Sequence, residues 1–227
     1  MTEITKYPRP AVAVDLVIFT VIDADLKVLL VKRDRPPFLG QWALPGGFVR
    51  VGEDDQGEDL IQAARRELAE ETGLPEGSVY LEQLRTFGRS GRDPRMRVIS
   101  VAHFALVRPD LAPFVRAGGD VSRAAWFSTE ADVPSLTLAF DHQDILDAAT
   151  ERVRGDLQST DIAFELVPDT FTIAELRAVF EVVLGRSIDP GNFRRRVLRM
   201  VDDGILETAV GKRVTSSKPA RVYRFIR

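Results

Sequence analysis

An α+β fold in two parts is expected from this sequence: a strand-rich layered domain over residues 1–157 and a smaller helical domain over 158–227. Three observations lead there. In the first part, runs of β-branched residues are interleaved with two amphipathic helical segments, the pattern of strands layered with helices. After Thr172 the texture becomes two short helices followed by two short strands, the order of a winged helix-turn-helix. Charge divides at the same place. Residues 172–227 hold 12 Lys+Arg against 6 Asp+Glu, a net +6, while the remainder carries 19 basic and 28 acidic residues, a net −9. The overall charge of −3 conceals this bipolarity, which points to a nucleic-acid or membrane partner for the basic part.

Taken in order, Val12 to Ile22 reads as a strand, Asp23 to Asp25 as a turn, and Leu26 to Lys32 as the returning strand. Pro36-Pro37 and Pro45-Gly46-Gly47 mark Arg33 to Gly52 as a loop region. Asp59 to Thr72 has helical periodicity and is stopped by Gly73 and Pro75. Tyr80 to Phe87 and Arg97 to Val107 read as strands around a polar turn, and Trp126-Phe127 closes the β-rich half. Asp141 to Arg154 is a second amphipathic helix. In the basic part, Thr172 and Glu175 have the reciprocal spacing of a capping box, and Gly185 ends that helix. Asp189-Pro190 opens the next, with an N-cap acceptor followed by proline in the first turn. It ends near Gly204, and Ile205 to Ala209 and Arg221 to Ile226 make a hairpin.

Composition narrows the chemistry. With 227 residues, 44% hydrophobic and 29% charged, the chain can bury one or two soluble cores. Its longest apolar run, Ala11 to Ile22, falls short of the ~20 residues needed to span a bilayer and carries Asp15, so no membrane partner is expected. No signal-peptide layout is present at the N-terminus. Zero cysteines exclude disulfides, zinc-thiolate sites, iron–sulfur clusters and cysteine nucleophiles. Only His103 and His142 are available, so a multi-histidine metal site is excluded and both are read as structural. A cytoplasmic location is expected.

The acidic half contains one dense cluster. At about 100° per residue, Glu70 and Glu71 flank Glu67 on a single helical face. Like charges so placed repel unless a cation joins them, and hard carboxylate oxygens suit Mg²⁺ or Mn²⁺. Such an ion would orient a diphosphate and activate water. The alternative is a solvated acidic face. The surrounding residues resemble the Nudix hydrolase signature, G-x5-E-x7-R-E-U-x-E-E-x-G-U with U aliphatic, met here by Gly52, Glu58, Arg66, Glu67, Leu68, Glu70, Glu71, Gly73 and Leu74. The Pro45-Gly46-Gly47 that usually supplies the leading glycine stands five residues early. Either Gly47 with Glu53 or Gly52 with Glu58 therefore starts the box, and Glu58 is preferred because it keeps the spacing to Arg66.

This resemblance implies a Nudix α/β/α sandwich that binds a nucleoside diphosphate linked to another group. Glu67, Glu70 and Glu71 would be metal ligands, with Glu70 or Glu71 assisting water activation if the site is active. Leu81 to Leu84, Thr86 to Gly88 and Arg92 to Arg95 look like the ADP-ribose-handling branch. Gly46, Gly47, Arg92 and Arg95 are accordingly ligand-binding candidates. The two arginines either clamp diphosphate oxygens or pair with Asp93 and other acids. Trp42 either stacks on adenine or packs in the core.

On a wheel of the second C-terminal helix, Phe193, Val197, Met200 and Val201 face inward. Asn192, Arg195 and Arg199 face outward, Arg196 lies at the edge and Arg194 flanks the core face. An Asn/Arg ridge suits major-groove base edges. Lys212, Arg213, Lys218 and Arg221 lie on or near the wing, where they would meet phosphates. Both halves together resemble the Nudix-related transcriptional regulators of NAD metabolism, the NrtR family. The likeness includes Leu138 to His142, Ile162 to Pro168 and Asn192 to Arg195. It implies a homodimer that represses NAD biosynthesis or salvage genes at a palindromic operator and releases DNA when ADP-ribose or a related nucleotide binds. The alternative is a Mg-dependent ADP-ribose pyrophosphatase, with or without a regulatory role, which the complete carboxylate box keeps open.

Overall fold

The computed structural model describes residues 8–52, 57–74, 79–114, 123–159, 161–214 and 219–226. The first part is built on a seven-stranded mixed sheet. Its elements are β1 (Ala11–Ile22), β2 (Asp25–Lys32), β3 (Trp42–Ala43), β4 (Gly46–Phe48), β5 (Tyr80–Phe87), β6 (Val98–Leu106) and β7 (Arg123–Ser128), with helices α1 (Leu60–Thr72) and α2 (His142–Ser159). The main path runs β3-β2-β1-β6-β5, with β4 paired to β1 and β7 to β2. Among these strands β1 and β6 pair in parallel and the other pairs are antiparallel.

β1 is central, which accounts for its almost unbroken apolar sequence: a strand covered on both faces has no solvent side to make polar. Leu16 and Ile18 pack with Ala64 and Leu68 of α1. Val17 and Phe19 point the other way and join Ile145, Ala149 and Val153 of α2. Helices therefore cover both sheet faces, an α/β/α sandwich.

Helix α1 starts after Asp59, whose backbone N–H donates to Gln62 Oε1 at 2.8 Å. It ends at Gly73, left-handed at φ 69°, where the glycine N–H donates to Ala69 O. α2 runs past the expected Arg154 end because Val153 and Leu157 extend its buried face. β3 and β4 lie inside the segment expected to be loop. They are too short to carry a periodic signal, and they exist because β1 and β2 supply partners, as in the Leu16 N–H to Pro45 O bond of 2.8 Å.

The second part consists of α3 (Ile173–Leu184), α4 (Pro190–Asp202) and a hairpin of β8 (Leu206–Arg213) and β9 (Ala220–Phe225). The capping box forms: Thr172 N–H donates to Glu175 Oε2 at 2.8 Å, and Glu175 N–H donates to Thr172 Oγ1 at 3.2 Å. Asp189 Oδ1 accepts from Asn192 N–H at 2.8 Å, capping α4. β8 reaches Arg213, beyond the expected Ala209, through a register irregularity between Thr208 and Lys212. Gly211 at φ 103° lies within that irregularity, a conformation strained for any residue with a Cβ.

The two parts share a core. Leu176, Phe180, Val183, Phe193, Val197, Leu206 and Tyr223 belong to the same buried cluster as the α2 face of the sheet. Arg154 of α2 also donates through Nε to Val183 O of α3 at 2.9 Å. The division expected at 157/158 falls within the last turn of α2.

Candidate functional site

Arg66 organises the carboxylate helix. Its Nη2 and Nε donate to the two oxygens of Glu58 at 2.5 and 2.8 Å, and its Nη1 donates to Glu67 Oε1 at 2.6 Å and to Glu70 Oε2 at 3.3 Å. Arg50, on the loop after β4, adds Nη2 to Glu70 Oε1 at 3.0 Å and its backbone N–H to Glu58 Oε1 at 2.7 Å. The Arg66 hydrogen bonds hold the Glu58 carboxyl down at about 2. Burial acts oppositely on Glu67 and raises it. Glu67 and Glu71 are buried and Glu70 is partly exposed.

This geometry divides the motif differently from its spacing. Glu58 is the residue that engages Arg66. Gly47 is the glycine against the helix, since a Cβ there would lie 2.1 Å from Glu67 Oε1. Gly52, assigned by spacing to the first box position, is exposed on the intervening loop. Glu53, its rival as box glutamate, lies outside the described residues. The reason is simple: the ten residues between Gly47 and Glu58 repeat a glycine at the right distance from Glu58, and only packing tells the two glycines apart.

Two of the three expected metal ligands, Glu67 and Glu70, are engaged by arginine. Glu67, Glu70 and Glu71 share a helix, yet among the described residues no three His, Asp or Glu side chains are gathered as metal ligands. The donor chemistry suits a hard cation, and Arg66 is shared among Glu58, Glu67 and Glu70 while Arg50 adds one contact to Glu70. In this arrangement Glu67 and Glu70 are turned towards arginines.

Beside the box lies a cavity of about 200 Å³, lined by Asp15, Arg33, Gly46, Gly47, Arg92, Arg95, Phe140 and His142 among others. The two arginines expected to clamp a diphosphate differ sharply. Arg92 is buried and bidentate to Asp141 at 2.9 and 2.6 Å, with Nη2 also 3.1 Å from Asp15 Oδ2. It is committed to acids of the fold, the second of the two readings the sequence left open. Arg95 binds Asp93 at 3.0 and 2.7 Å, but its side chain is 43% exposed, leaving donors directed outward. Its guanidinium lies 5.6 Å from the Phe48 ring and 5.8 Å from Phe140.

Several site residues escape a reading by motif. Arg33 reaches the cavity from the segment after β2, 4.8 Å from the Phe140 ring. Burial, together with the nearby Arg95 charge, lowers its pKa. Asp15, Ser100, Asp141 and His142 form a buried polar cluster around Arg92. Ser100 Oγ donates to Asp15 Oδ2 at 2.5 Å, and His142 Nδ1 accepts from Leu44 N–H at 2.8 Å. That bond leaves Nε2 as the protonated nitrogen of a neutral ring, facing Asp15 Oδ1 at 3.5 Å. Burial lowers the His142 pKa in the same sense. The one available signal was Asp15, a lone acid in an apolar strand, since a buried charge requires a partner. His103 is buried on β6 with Nδ1 3.0 Å from Val101 O, and the half-buried Trp42 packs edge-on against Phe127 at 4.7 Å at the margin of the core.

In the basic part, Asn192, Arg195 and Arg199 are exposed along α4, and Arg195 hydrogen-bonds Asn192. Arg196, at the edge of the wheel, is half-buried and folds back over the Phe180 ring at 4.8 Å, and Arg194, beside its core face, stays in solvent. Arg213 is drawn inward: Nη1 pairs with Glu175 Oε1 at 2.6 Å and Nη2 donates to Thr170 O at 2.9 Å, so it braces the wing against α3 rather than facing phosphate. Lys212 and Arg221 are exposed. Lys218 lies outside the described residues.

Residues 11–149 match the NUDIX domain family, and residues 163–225 match the NrtR DNA-binding winged helix domain. The class is thereby defined as a Nudix domain fused to a winged helix. Over 221 residues the chain is 35% identical to the "ADPR responsive transcriptional repressor NtrR" of Acinetobacter baylyi, covering 97% of this chain and 84% of that protein. The crystal structure of Shewanella oneidensis NrtR complexed with a 27mer DNA superposes with a TM-score of 0.77 at 36% identity, covering 95% of this chain and 93% of that one. The NUDIX domain of the same Shewanella protein complexed with ADP ribose gives a TM-score of 0.53 at 36% identity, covering 67% of this chain and 99% of that one. This chain belongs to the NrtR family.

Proposed function

We propose that the chain is a DNA-binding transcriptional repressor that releases its operator when ADP-ribose, or a related NAD-derived nucleotide, occupies the Nudix domain. The observation that carries this reading is the pairing of two sites on one continuous core: a cavity at Gly46 and Gly47 flanked by Arg33 and Arg95, and an exposed Asn192/Arg195/Arg199 ridge on α4. The Acinetobacter repressor and the DNA and ADP-ribose complexes of the Shewanella protein support it. The reading extends to a homodimer on a palindromic operator controlling NAD biosynthesis or salvage genes in the cytoplasm. It also extends to a sensing domain over 1–157 and a DNA-binding domain over 158–227.

Sensing is preferred to pyrophosphatase activity alone because hydrolysis would leave the exposed Asn192/Arg195/Arg199 ridge without a role. Arg66 and Arg50 tie Glu58, Glu67 and Glu70 to the loop after β4 beside the cavity. The test uses a duplex enriched by this protein from a random-sequence pool. Adding ADP-ribose should raise the dissociation constant for that duplex, read by fluorescence anisotropy. Unchanged affinity at saturating ADP-ribose would overturn the sensor reading.

A further inference from the structure

The Gly46-Gly47 wall of the cavity is fastened to the helix that leads to the winged-helix part. Leu44 stands between β3 and β4, is 3% exposed and lies outside the strand ladders, so its N–H needs an acceptor from elsewhere in the fold. His142 Nδ1, on the first residue of α2, accepts it at 2.8 Å. The other edge of the same ring, Nε2, faces Asp15 Oδ1 at 3.5 Å, and Asp15 is the β1 partner of Gly46. One buried side chain therefore meets both the approach to Gly46 and the residue opposite it. Ahead of α2, Leu138 forms a parallel bridge with Trp42, and Ala139 N–H donates to Trp42 O at 2.9 Å, so β3 is fixed to the same stretch of chain. Phe140, between these contacts and His142, holds φ 55°, a left-handed conformation costly for a bulky residue. Its ring lines the cavity 5.2 Å from the His142 ring.

The far end of α2 reaches the winged-helix part. Arg154 Nε donates to Val183 O of α3 at 2.9 Å, and Phe180 of α3 packs against Phe193 of α4 at 5.3 Å. We infer that His142 is a positioning residue for the response to nucleotide. It ties the β3–β4 wall to α2, so that a ligand displacing Gly46 and Gly47 shifts α2 and, through Arg154, the α3–α4 pair. The inference rests on the sensor reading and assigns its transmission to named groups. Packing alone does not account for a histidine at this place, since a buried phenylalanine would leave the Leu44 N–H without an acceptor. A nucleotide changes DNA affinity only if it favours one of two arrangements of the molecule. Contacts that tie the cavity wall to α2 make the position of one depend on the other.

The test compares wild type with three full-length variants. His142→Ala removes the Leu44 acceptor, His142→Asn keeps an acceptor oxygen at the Nδ1 position but lacks the Nε2 edge, and Arg154→Met removes the donor to α3. Each is first shown to be folded by a cooperative thermal transition. Affinity for the enriched duplex is read by anisotropy without ADP-ribose, and with ADP-ribose at concentrations that calorimetry shows to saturate that variant. The ratio of the two dissociation constants is the coupling factor. His142→Ala and Arg154→Met should lower it by about 2- to 30-fold. Arg154→Met should do so with the ligand-free duplex affinity unchanged. His142→Asn should retain the wild-type factor, a rescue that a general loss of packing would not give. A wild-type factor in His142→Ala or in Arg154→Met would overturn the proposal. So would an equal loss in His142→Asn and His142→Ala, which would show that the Leu44 bond is not the link. A wild type whose duplex affinity ADP-ribose leaves unchanged would remove the sensor reading itself, and this proposal with it.

Discussion

Glu58 and Arg66 show how one ion pair can be read in solution. The folded Glu58 carboxyl sits near 2 against an ordinary 4.5, so as pH falls the unfolded chain takes up the proton first. The stability this group contributes is complete above about 4.5 and is lost as pH drops towards about 2. Glu58→Gln should therefore lower stability at neutral pH and flatten the acid loss through that window. Urea midpoints at about pH 6 and about pH 3 measure it, and an equal drop in both proteins would contradict the assignment. At the other site, Asn192→Ala or Arg195→Ala should weaken the enriched duplex by about 1–3 kcal/mol and relax preference at one base pair. Unaltered sequence preference in both variants would show that α4 reads DNA through another face.

At the level of elements, α4 is held by a narrow set of contacts. Phe193 packs edge-on against Phe180 at 5.3 Å, and Arg196 closes over the opposite region of that ring. Removing the Phe193 ring leaves a cavity between α3 and α4 that the hairpin cannot fill. Phe193→Ala should cost about 3–5 kcal/mol, seen in chemical denaturation together with loss of DNA binding. A variant that retained wild-type stability would mean that the two helices repack freely. β4 is the corresponding element at the cavity. Gly47 lets its backbone approach Glu67, so Gly47→Ala must push the Glu67 carboxylate away and open the Arg66 cluster. Weaker ADP-ribose binding by calorimetry is the expected result, with an unshifted affinity showing that β4 does not set the cavity.

For the whole molecule, the decisive feature is that α2 belongs to both parts. Its N-terminal residues His142 and the preceding Asp141 stand at the cavity wall, and Arg154 and Val153 near its other end meet α3 and the shared core. An 18-residue helix spans about 27 Å, so one element runs from the cavity wall to α3, against which α4 packs. If a nucleotide weakens operator binding, linkage requires the operator to weaken nucleotide binding by the same factor. Calorimetric titration of ADP-ribose with and without bound duplex measures this, and equal affinities would show the sites to be independent. A dimer would present its two α4 helices at a fixed separation, matching half-sites about 34–36 Å apart or a multiple of that distance.

What sequence order settles unaided in this chain is local or periodic. The capping box at Thr172 and Glu175, the Asp189-Pro190 start, the Gly73 and Gly185 stops and the apolar run of β1 need only neighbours a few residues away, and each is legible in the sequence. The charge division and the carboxylate motif are legible for the same reason. Tertiary packing decided the rest. Whether Gly47 or Gly52 stands against Glu67, whether Arg92 is a clamp or a buried strut to Asp15 and Asp141, and whether Arg213 or Lys212 faces DNA depend on partners 38 to 77 residues away in several of these pairs. A charged side chain's role is set by the nearest opposite charge and by its access to water. Both are properties of the folded surface, so identical residue types in one stretch of sequence can end as a brace, a core element or a free cation.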